Sequence, residues 1–535
     1  LVFKSSSSQS EDVVIVDNGM TDAKDLERKI LSKQLQLFEK EFKNEKNKVT
    51  FYRNMVKKHL SKVRVLCYLE NFNTLQEGVE FVVKSINENN SDVLDGIGKG
   101  VELIPYYMLD KNQIDISYFN RWVHKINSDN ISLNGLLELL ASPELEDEDT
   151  SFYPTPIWLF RIMIEKLLEN EVIENPVVLD PAAGRGTSLI TLLEMYKEKG
   201  IEVDTSNIYY NDIDPYMVKI FKKINKEYNL GIPEENIFNE DVLNPSQKFK
   251  EILMKGFDVT LGNWPFGNKN NKIWDKFDRL VLDKNKINTK YVLRIAPSGW
   301  RNVDGNQKDI QRKIFKEMDL LYLEMYDESG GLDTFGKETR FDWALWKNSK
   351  TKNLKTEIKF QDGSVAHIDT TNLEFLPNGD YEKYNSHLAI GNEERVEGIY
   401  DRSMYGTDKP HMSRENESEY PCSYMVNNEG ILTNGNGENK PWYSSIKKGH
   451  FGIPKLIWSN GRITSIGSYV DDTGKYGLTQ FSYAIVDTPE NLPLIKKAFD
   501  SEEFRSLMMS CAVTQNQINY KVISLFKKDF WREFI

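Results

Sequence analysis

Asp180, Asp212, Asp241 and Asn263 are the residues whose types and spacing can do chemistry together. Each follows a short apolar run. Val177-Val178-Leu179 leads to Asp180, Ile208-Tyr209-Tyr210 to Asn211-Asp212, Ile237-Phe238 to Asn239-Glu240-Asp241, and Phe257 to Leu261 to Gly262-Asn263. Runs rich in β-branched and aromatic residues that end in polar or glycine-bearing turns read as buried strands. An acid at one strand end is most often a helix cap or a turn residue. Three in succession, followed by an amide, are not accounted for by capping.

The amide sits in Gly262-Asn263-Trp264-Pro265-Phe266-Gly267. Pro265 biases Trp264 towards extended backbone. The Asn263 side-chain oxygen and the Trp264 carbonyl can then aim at one point. Two acceptors and the ring of Phe266 suit a planar base with an exocyclic NH2, one acceptor for each hydrogen and the ring for stacking. Such an amine is a poor nucleophile because its lone pair is delocalised. Two acceptors favour a pyramidal nitrogen and stabilise the positive charge that builds during attack, with about 3–4 kcal/mol of barrier at stake per partner.

Upstream, Asp180-Pro181-Ala182-Ala183-Gly184-Arg185-Gly186-Thr187 reads as a strand, a small-residue turn and a helix opening near Thr187. Gly184 and Gly186 let a ligand approach the backbone. The Gly-x-Gly-x-x-Gly of a dinucleotide loop is incomplete, and an acid before the glycines suits an ammonium group. Asp212, at the end of the second strand, is placed for ribose hydroxyls. Thr155 is expected to cap a helix with Pro156 at its first position. Ile157, Phe160, Met163, Ile164, Leu167 and Leu168 give that helix an apolar face. Its capped end favours a carboxylate.

The Asn263–Phe266 stretch resembles the Asn/Asp/Ser-Pro-Pro-Tyr/Phe loop of amino-methyltransferases, which methylate the exocyclic nitrogen of adenine or cytosine. The order of the pieces, from about Phe152 to Lys347, is similar to the gamma arrangement of S-adenosylmethionine-dependent DNA amino-methyltransferases. The departure is Trp264, where the family has its first proline. Every residue has the carbonyl the family uses, but the rigidity of a proline is lost.

The resemblance implies S-adenosyl-L-methionine as cofactor. Thr155 would contact the methionine carboxylate, and Asp180 would face the ammonium, with Ala182 and Gly184 in the turn beneath. Asp212, in preference to Asp214, would bind the ribose hydroxyls, and Asp241 the adenine amino group. Asn263, Trp264, Pro265 and Phe266 would form the catalytic loop, and Phe335 would pack on the base. The implied activity is methylation of adenine N6 in DNA, with the base first turned out of the duplex. It needs no metal and no covalent nucleophile. RNA adenine, cytosine N4 and protein glutamine are rival substrates. A methyltransferase-like DNA-binding subunit without activity is the rival from another class, with Trp264 as a sign of decay.

The 535 residues, 39% hydrophobic, are enough for two or three domains with cores. The expected fold is α/β, a doubly wound Rossmann-like methyltransferase core with a helical N-terminal domain and a β-rich C-terminal recognition domain. The expected boundaries are a disordered 1–22, a helical 23–148, a catalytic 149–349 and a target-recognition 350–535. A net charge of −12 means that any nucleic acid is met by a local basic surface. Lys447, Lys448, Lys455, Arg462 and Lys475, interleaved with Trp442, Tyr443, Phe451, Trp458, Tyr469 and Tyr476, are the expected DNA contacts. The tail around Phe530-Trp531 reads as a closing helix.

Other chemistries are excluded by spacing. Cys67, Cys422 and Cys511 are too far apart in sequence for a disulfide framework or a zinc cluster, and the six histidines include no pair at ligand spacing. Pro421-Cys422 is read as a plain buried thiol rather than a nucleophile. Glu357-Ile358-Lys359 with Asp342 is rejected as a nuclease centre. No run is apolar enough to span a membrane and no signal peptide is visible. The expectation is an intracellular, cytoplasmic protein of prokaryotic or viral source. Its expected partners are double-stranded DNA and a restriction or accessory subunit.

Overall fold

The structure, a computed structural model, describes residues 154–535 except 268–271, 303–306, 352–354, 400–403, 416–419, 437, 466 and 514–516. Before them it describes 2–3, 13–14, 66–74, 77–78, 81, 121, 123–127 and 131–140. The chain divides into two compact units. The first comprises Leu1–Ala296 with Gly331–Glu338, and the second Pro297–Gly330 with Thr339–Ile535.

The first unit is built on strand–helix repeats. Helix α1 (Ile157–Asn170) buries Leu159, Phe160, Met163, Ile164, Leu167 and Leu168. Its N-cap is Pro156, and no side chain caps it, so Thr155 does not play the capping part expected of it. There follow β1 (Val178–Asp180), α2 (Thr187–Glu198), β2 (Ile208–Asn211), α3 (Pro215–Glu227), β3 (Ile237–Phe238), α4 (Gln247–Leu253), β4 (Phe257–Asn263), α5 (Ile273–Val281) and β5 (Thr289–Pro297). The strands lie in the order β5-β4-β1-β2-β3, and every neighbouring pair is parallel. Parallel strands added on both sides of β1 give the order of a doubly wound sheet. The order reverses between β1 and β4, so the switch-point crevice opens where Asp180 and Asn263 end their strands.

One strand boundary differs from the sequence pattern, and one of the acids stands clear of its strand. β4 runs on through Asn263 because Gly262 is extended and pairs with Arg294, and Asn263 pairs with Ile295. β3 stops at Phe238, leaving Asp241 in the turn beyond it, where Asn244 N–H bonds the Asp241 carbonyl at 2.9 Å. The start of α2 lies close against α3. A Cβ built on Gly186 would meet Phe221 at 2.2 Å, and its φ of 81° also requires glycine. Phe221 is held by stacking on Tyr210 of β2, with ring centroids 4.1 Å apart.

In the second unit come α6 (Lys308–Glu317), β6 (Asp319–Tyr326), α7 (Glu328–Phe335), β7 (Phe341–Lys347), β8 (Thr356–Lys359) and β9 (Val365–Ile368). Residues of α7 from Gly331 onward count with the first unit. The strand order is β9-β8-β6-β7, antiparallel except for β8 beside β6. The segment from Glu397 to Val486 contributes two four-stranded sheets. The β-rich expectation stops there. Helices Leu492–Asp500 and Glu502–Ser510 pack Ile495, Phe499, Phe504 and Leu507 into one core with Trp458, and Ser501 caps the second by accepting from Phe504 N–H. The tail is a buried 3-10 turn, Phe530–Phe534.

Within 23–148, expected to be helical, Leu133–Leu140 is a helix that buries Leu136, Leu137 and Leu140. Within 1–22, read from composition as disordered, Val2–Phe3 pairs antiparallel with Val13–Val14. Of the 23–148 stretch, 23–65 and 141–148 lie outside the described residues.

Candidate active site

Asp180 ends β1 with its carboxylate fully enclosed. It accepts from the Ala182 N–H at 3.0 Å and from the Ser188 hydroxyl. Burial pushes its carboxyl up to about 7, against the lowering effect of those two hydrogen bonds. The turn beyond it is fixed on both sides. Gly184 N–H donates to Asp212 Oδ2 at 2.7 Å, and Tyr210 Oη donates to the Gly184 carbonyl at 2.5 Å. Asp212 also accepts from Asp214 N–H at 2.9 Å, and burial pushes its carboxyl up to about 6. Asp214 caps α3 through Tyr216 N–H at 2.8 Å, so of the two acids it is the one taken up by the helix.

Asn211 is a residue that the sequence reading passed over. Its amide nitrogen donates to the carbonyls of Pro181, at 2.9 Å, and Glu240, at 3.1 Å, while its oxygen accepts from Glu240 N–H at 3.1 Å. It thereby fastens the turns after β1 and β3 to the end of β2. Asp241 accepts from Leu243 N–H at 3.0 Å and from Asn244 Nδ2 at 2.8 Å.

The loop after β4 begins beside Asp180. A Cβ built on Gly262 would come 2.8 Å from Asp180 Oδ1 and 3.0 Å from the Trp264 ring, so only glycine fits between them. Asn263 Nδ2 donates to Thr155 Oγ1 at 3.0 Å, which turns the amide nitrogen towards the start of α1. Trp264 is buried. Its indole N–H donates to Asp278 Oδ1 at 2.9 Å, and its backbone N–H bonds the Ile295 carbonyl at 3.2 Å. Pro265 and Phe266 are half-buried. The rings of Phe266 and Phe335 meet edge to face with centroids 5.9 Å apart. Thr155, Asp180, Asn263 and Trp264 are thus drawn together, and Phe335, far along the chain, reaches the same loop.

The expected DNA contacts divide. Lys447, Lys448, Arg462 and Lys475 are exposed. Lys455 is not: its side chain is wholly buried, and Nζ donates to Asp471 Oδ2 at 2.8 Å and to the carbonyls of His450 and Ile453 at 3.0 and 3.1 Å. Lys455 and Asp471 are direct partners in an antiparallel pair, so the register sets the bridge. Asp471 also accepts from the backbone N–H groups of Lys475 and Tyr476 at 2.7 and 2.9 Å. Lys455→Met is therefore expected to cost about 3–5 kcal/mol of stability, because it leaves a buried carboxylate without its counter-charge. Lys447→Ala is expected to cost under about 0.5 kcal/mol. Urea unfolding of the two variants measures both.

Cys422 is buried with its thiol pushed up to about 12 by desolvation, which suits a packing role and not a nucleophile. Asp342 is held by Arg301 at 2.7 Å and by Ser298 and Trp300, and Lys359 pairs with Glu324 at 2.8 Å. Of the rejected nuclease residues, Asp342 and Lys359 are thus occupied in separate pairs. Among the described residues there is no group of acids, histidines and cysteines that could hold a metal ion, and no helix is long and apolar enough to cross a membrane.

Residues 134–300 match the family model described as N-6 DNA Methylase. No curated protein matches the chain in sequence. Among solved structures, a type I restriction-modification methyltransferase subunit from Streptococcus thermophilus is similar at 13% identity, over 65% of this chain and 90% of that one, with a TM-score of 0.32. The type IIL restriction-modification enzyme MmeI, solved in complex with DNA, is similar at 11% identity over 94% and 88%, with a TM-score of 0.42. The M protein of the type I restriction enzyme EcoKI is similar at 13% identity over 62% and 82%, with a TM-score of 0.32.

Proposed function

We propose, from the premise that residues 134–300 form an N-6 DNA methylase domain, that this chain transfers a methyl group from S-adenosyl-L-methionine to the N6 of an adenine turned out of duplex DNA. The observation that carries the reading is the junction at Gly262. There the buried Asp180 carboxylate and the Asn263 loop stand on adjacent strand ends with room only for a hydrogen between them.

The residues present fit the cofactor. A buried carboxylate suits its ammonium, the glycine turn suits close approach of its nucleoside, and Asp212 and Asp241 suit the hydroxyls and the amino group. When bound, the cofactor supplies an activated methyl group on a sulfonium. The chain does the remainder. Asp180 holds the ammonium. Thr155, whose oxygen accepts from Asn263, has its own hydroxyl hydrogen to give to the methionine carboxylate. Asn263 Oδ1 and the Trp264 carbonyl accept the two hydrogens of the target amine and stabilise the charge that grows on nitrogen. Phe266 and Phe335 stack on the base. No side chain needs to form a bond to the base.

Residues 350–535 serve in this reading as the target-recognition region, with Lys447, Lys448, Arg462 and Lys475 meeting phosphates. Restriction-modification, with a restriction or accessory subunit as partner, is the setting it supports. The test uses purified protein, cofactor labelled in the methyl group and mixed duplex DNA. Label recovered as N6-methyladenine is the expected result. Cofactor bound with no label on any DNA would make the chain an idle subunit. Label on cytosine N4, on RNA or on protein glutamine would move it to a rival substrate.

A further inference from the structure

The loop departs from its family at one position, and the structure surrounds that position with a fixing device. Trp264 is completely buried although it stands in a loop that must present a backbone carbonyl. Its indole N–H reaches Asp278 on α5 at 2.9 Å, and its ring lies against Phe277 with centroids 5.6 Å apart. Asp278 in turn pairs with Arg294 of β5 at 3.0 Å, and both side chains have no exposure to solvent. The next residue of β5, Ile295, takes the Trp264 backbone N–H at 3.2 Å. On its other side the indole borders Gly262, whose opposite flank is the Asp180 carboxylate.

We infer that Trp264, Asp278 and Arg294 form a buried tether that aims the Trp264 carbonyl, doing through a side chain what the family's proline does through its ring. The inference rests on reading Asn263–Phe266 as the base-holding loop. A proline limits φ locally. A non-proline residue here leaves φ free, so the aim must be imposed from elsewhere. An indole has a single donor in a fixed direction. Anchoring that donor to a carboxylate on α5, with the backbone N–H anchored to β5, fixes the residue at two points and its carbonyl with them. Arg294 has a separate part: burial pushes the Asp278 carboxyl up, and the guanidinium beside it opposes that shift and favours the charged form as the indole's acceptor. Asp278 and Arg294 are positioning residues, since neither touches the base.

Three variants test it in the full chain. Trp264→Phe removes the donor and keeps a ring. Asp278→Leu with Arg294→Met removes the acceptor without leaving a buried charge unpaired. Asp278→Asn with Arg294→Met keeps an acceptor for the indole, again with no buried charge unpaired, and serves as the conservative rescue. Two readouts are taken: kcat and KM for methyl transfer, and hydrogen exchange of the 262–267 amides without cofactor or DNA. The expected result for the first two is a roughly ten- to hundred-fold fall in kcat with KM for cofactor nearly unchanged. Loop exchange should quicken by a similar factor while the β1 peptide stays protected. Combining them should be no worse than either alone. Asp278→Asn with Arg294→Met should stay within about three-fold of the parent, because an amide oxygen still accepts the indole N–H. Parental kcat and parental loop exchange in Trp264→Phe would overturn the tether, as would a loss shared by the β1 peptide. A parent protein that transfers no methyl at all would sink the proposed function, and the exchange measurement would still decide the tether.

Discussion

Asn263→Ala is expected to lower kcat for methyl transfer roughly 10²- to 10³-fold, while cofactor affinity changes little. Two things are lost at once. In the proposed site the target amine would lose one of its two acceptors, and Thr155 loses the donor that faces it at 3.0 Å. Only the first acts on the charge that forms during transfer, so the effect should fall on the chemical step. Thr155→Val separates the two. It keeps the Asn263 amide and should raise KM for the cofactor more than it lowers kcat, because the hydroxyl proposed to meet the methionine carboxylate is gone. Steady-state kinetics with each variant decide the matter. If Asn263→Ala left kcat unchanged, the amide would have no part in the reaction.

The second large effect is on pH. Burial holds the Asp180 carboxyl up at about 7, so below that pH the free protein carries it neutral. An ammonium ligand needs it charged. Cofactor affinity is therefore expected to be level above pH 7 and to fall as pH drops below it, approaching ten-fold per pH unit. The Asp212 carboxyl, at about 6, adds a further loss lower down. Asp180→Asn should bind about ten- to a hundred-fold more weakly at pH 8 and lose the step near 7. Stability of the free protein runs the other way. An Asp carboxyl raised above its unfolded value of about 3.9 gives stability that is complete below that value and lost as pH rises through 7. Bound cofactor should restore it. Calorimetric titration and thermal unfolding between pH 5 and 8 test both, and an affinity that does not change across that range would remove Asp180 as the ammonium partner.

The parallel core was legible because its signals are local. Each strand announces itself by a β-branched run and each helix by its stripe, and the acids stand within a few residues of the strand ends. What was not legible depends on partners distant in the chain. Nothing near Thr155 says that its hydroxyl will meet Asn263, and nothing near Trp264 says that Asp278 and Arg294 will enclose its indole. Asn211 looked like a neighbour of Asp212, not a fastener for two other turns. Thr155 read as a cap because Thr-Pro before an apolar stripe is a capping pattern, yet the helix opens a residue later, on Pro156. Lys455 was misread because cations among aromatics look alike in sequence whether they face water or a buried acid. The sign that separates it is Asp471 directly across the hairpin. The helices from Leu492 to Ser510 were obscured by the β-rich stretch before them, although Ser501-Glu502-Glu503 is a start signal in its own right.

The buried Lys455 would, on the proposed reading, bear on how such a protein acquires new targets. Its ammonium joins the backbone at His450 and Ile453 to Asp471, which in turn holds the backbone at Lys475 and Tyr476. The strand ends at Lys455 and Asp471 are thus clamped together by buried polar contacts. If Lys447, Lys448 and Lys475 meet phosphates as proposed, their side chains could be exchanged like type in a locked frame, and a lineage, or an engineer, could rewrite the letters without recasting the page.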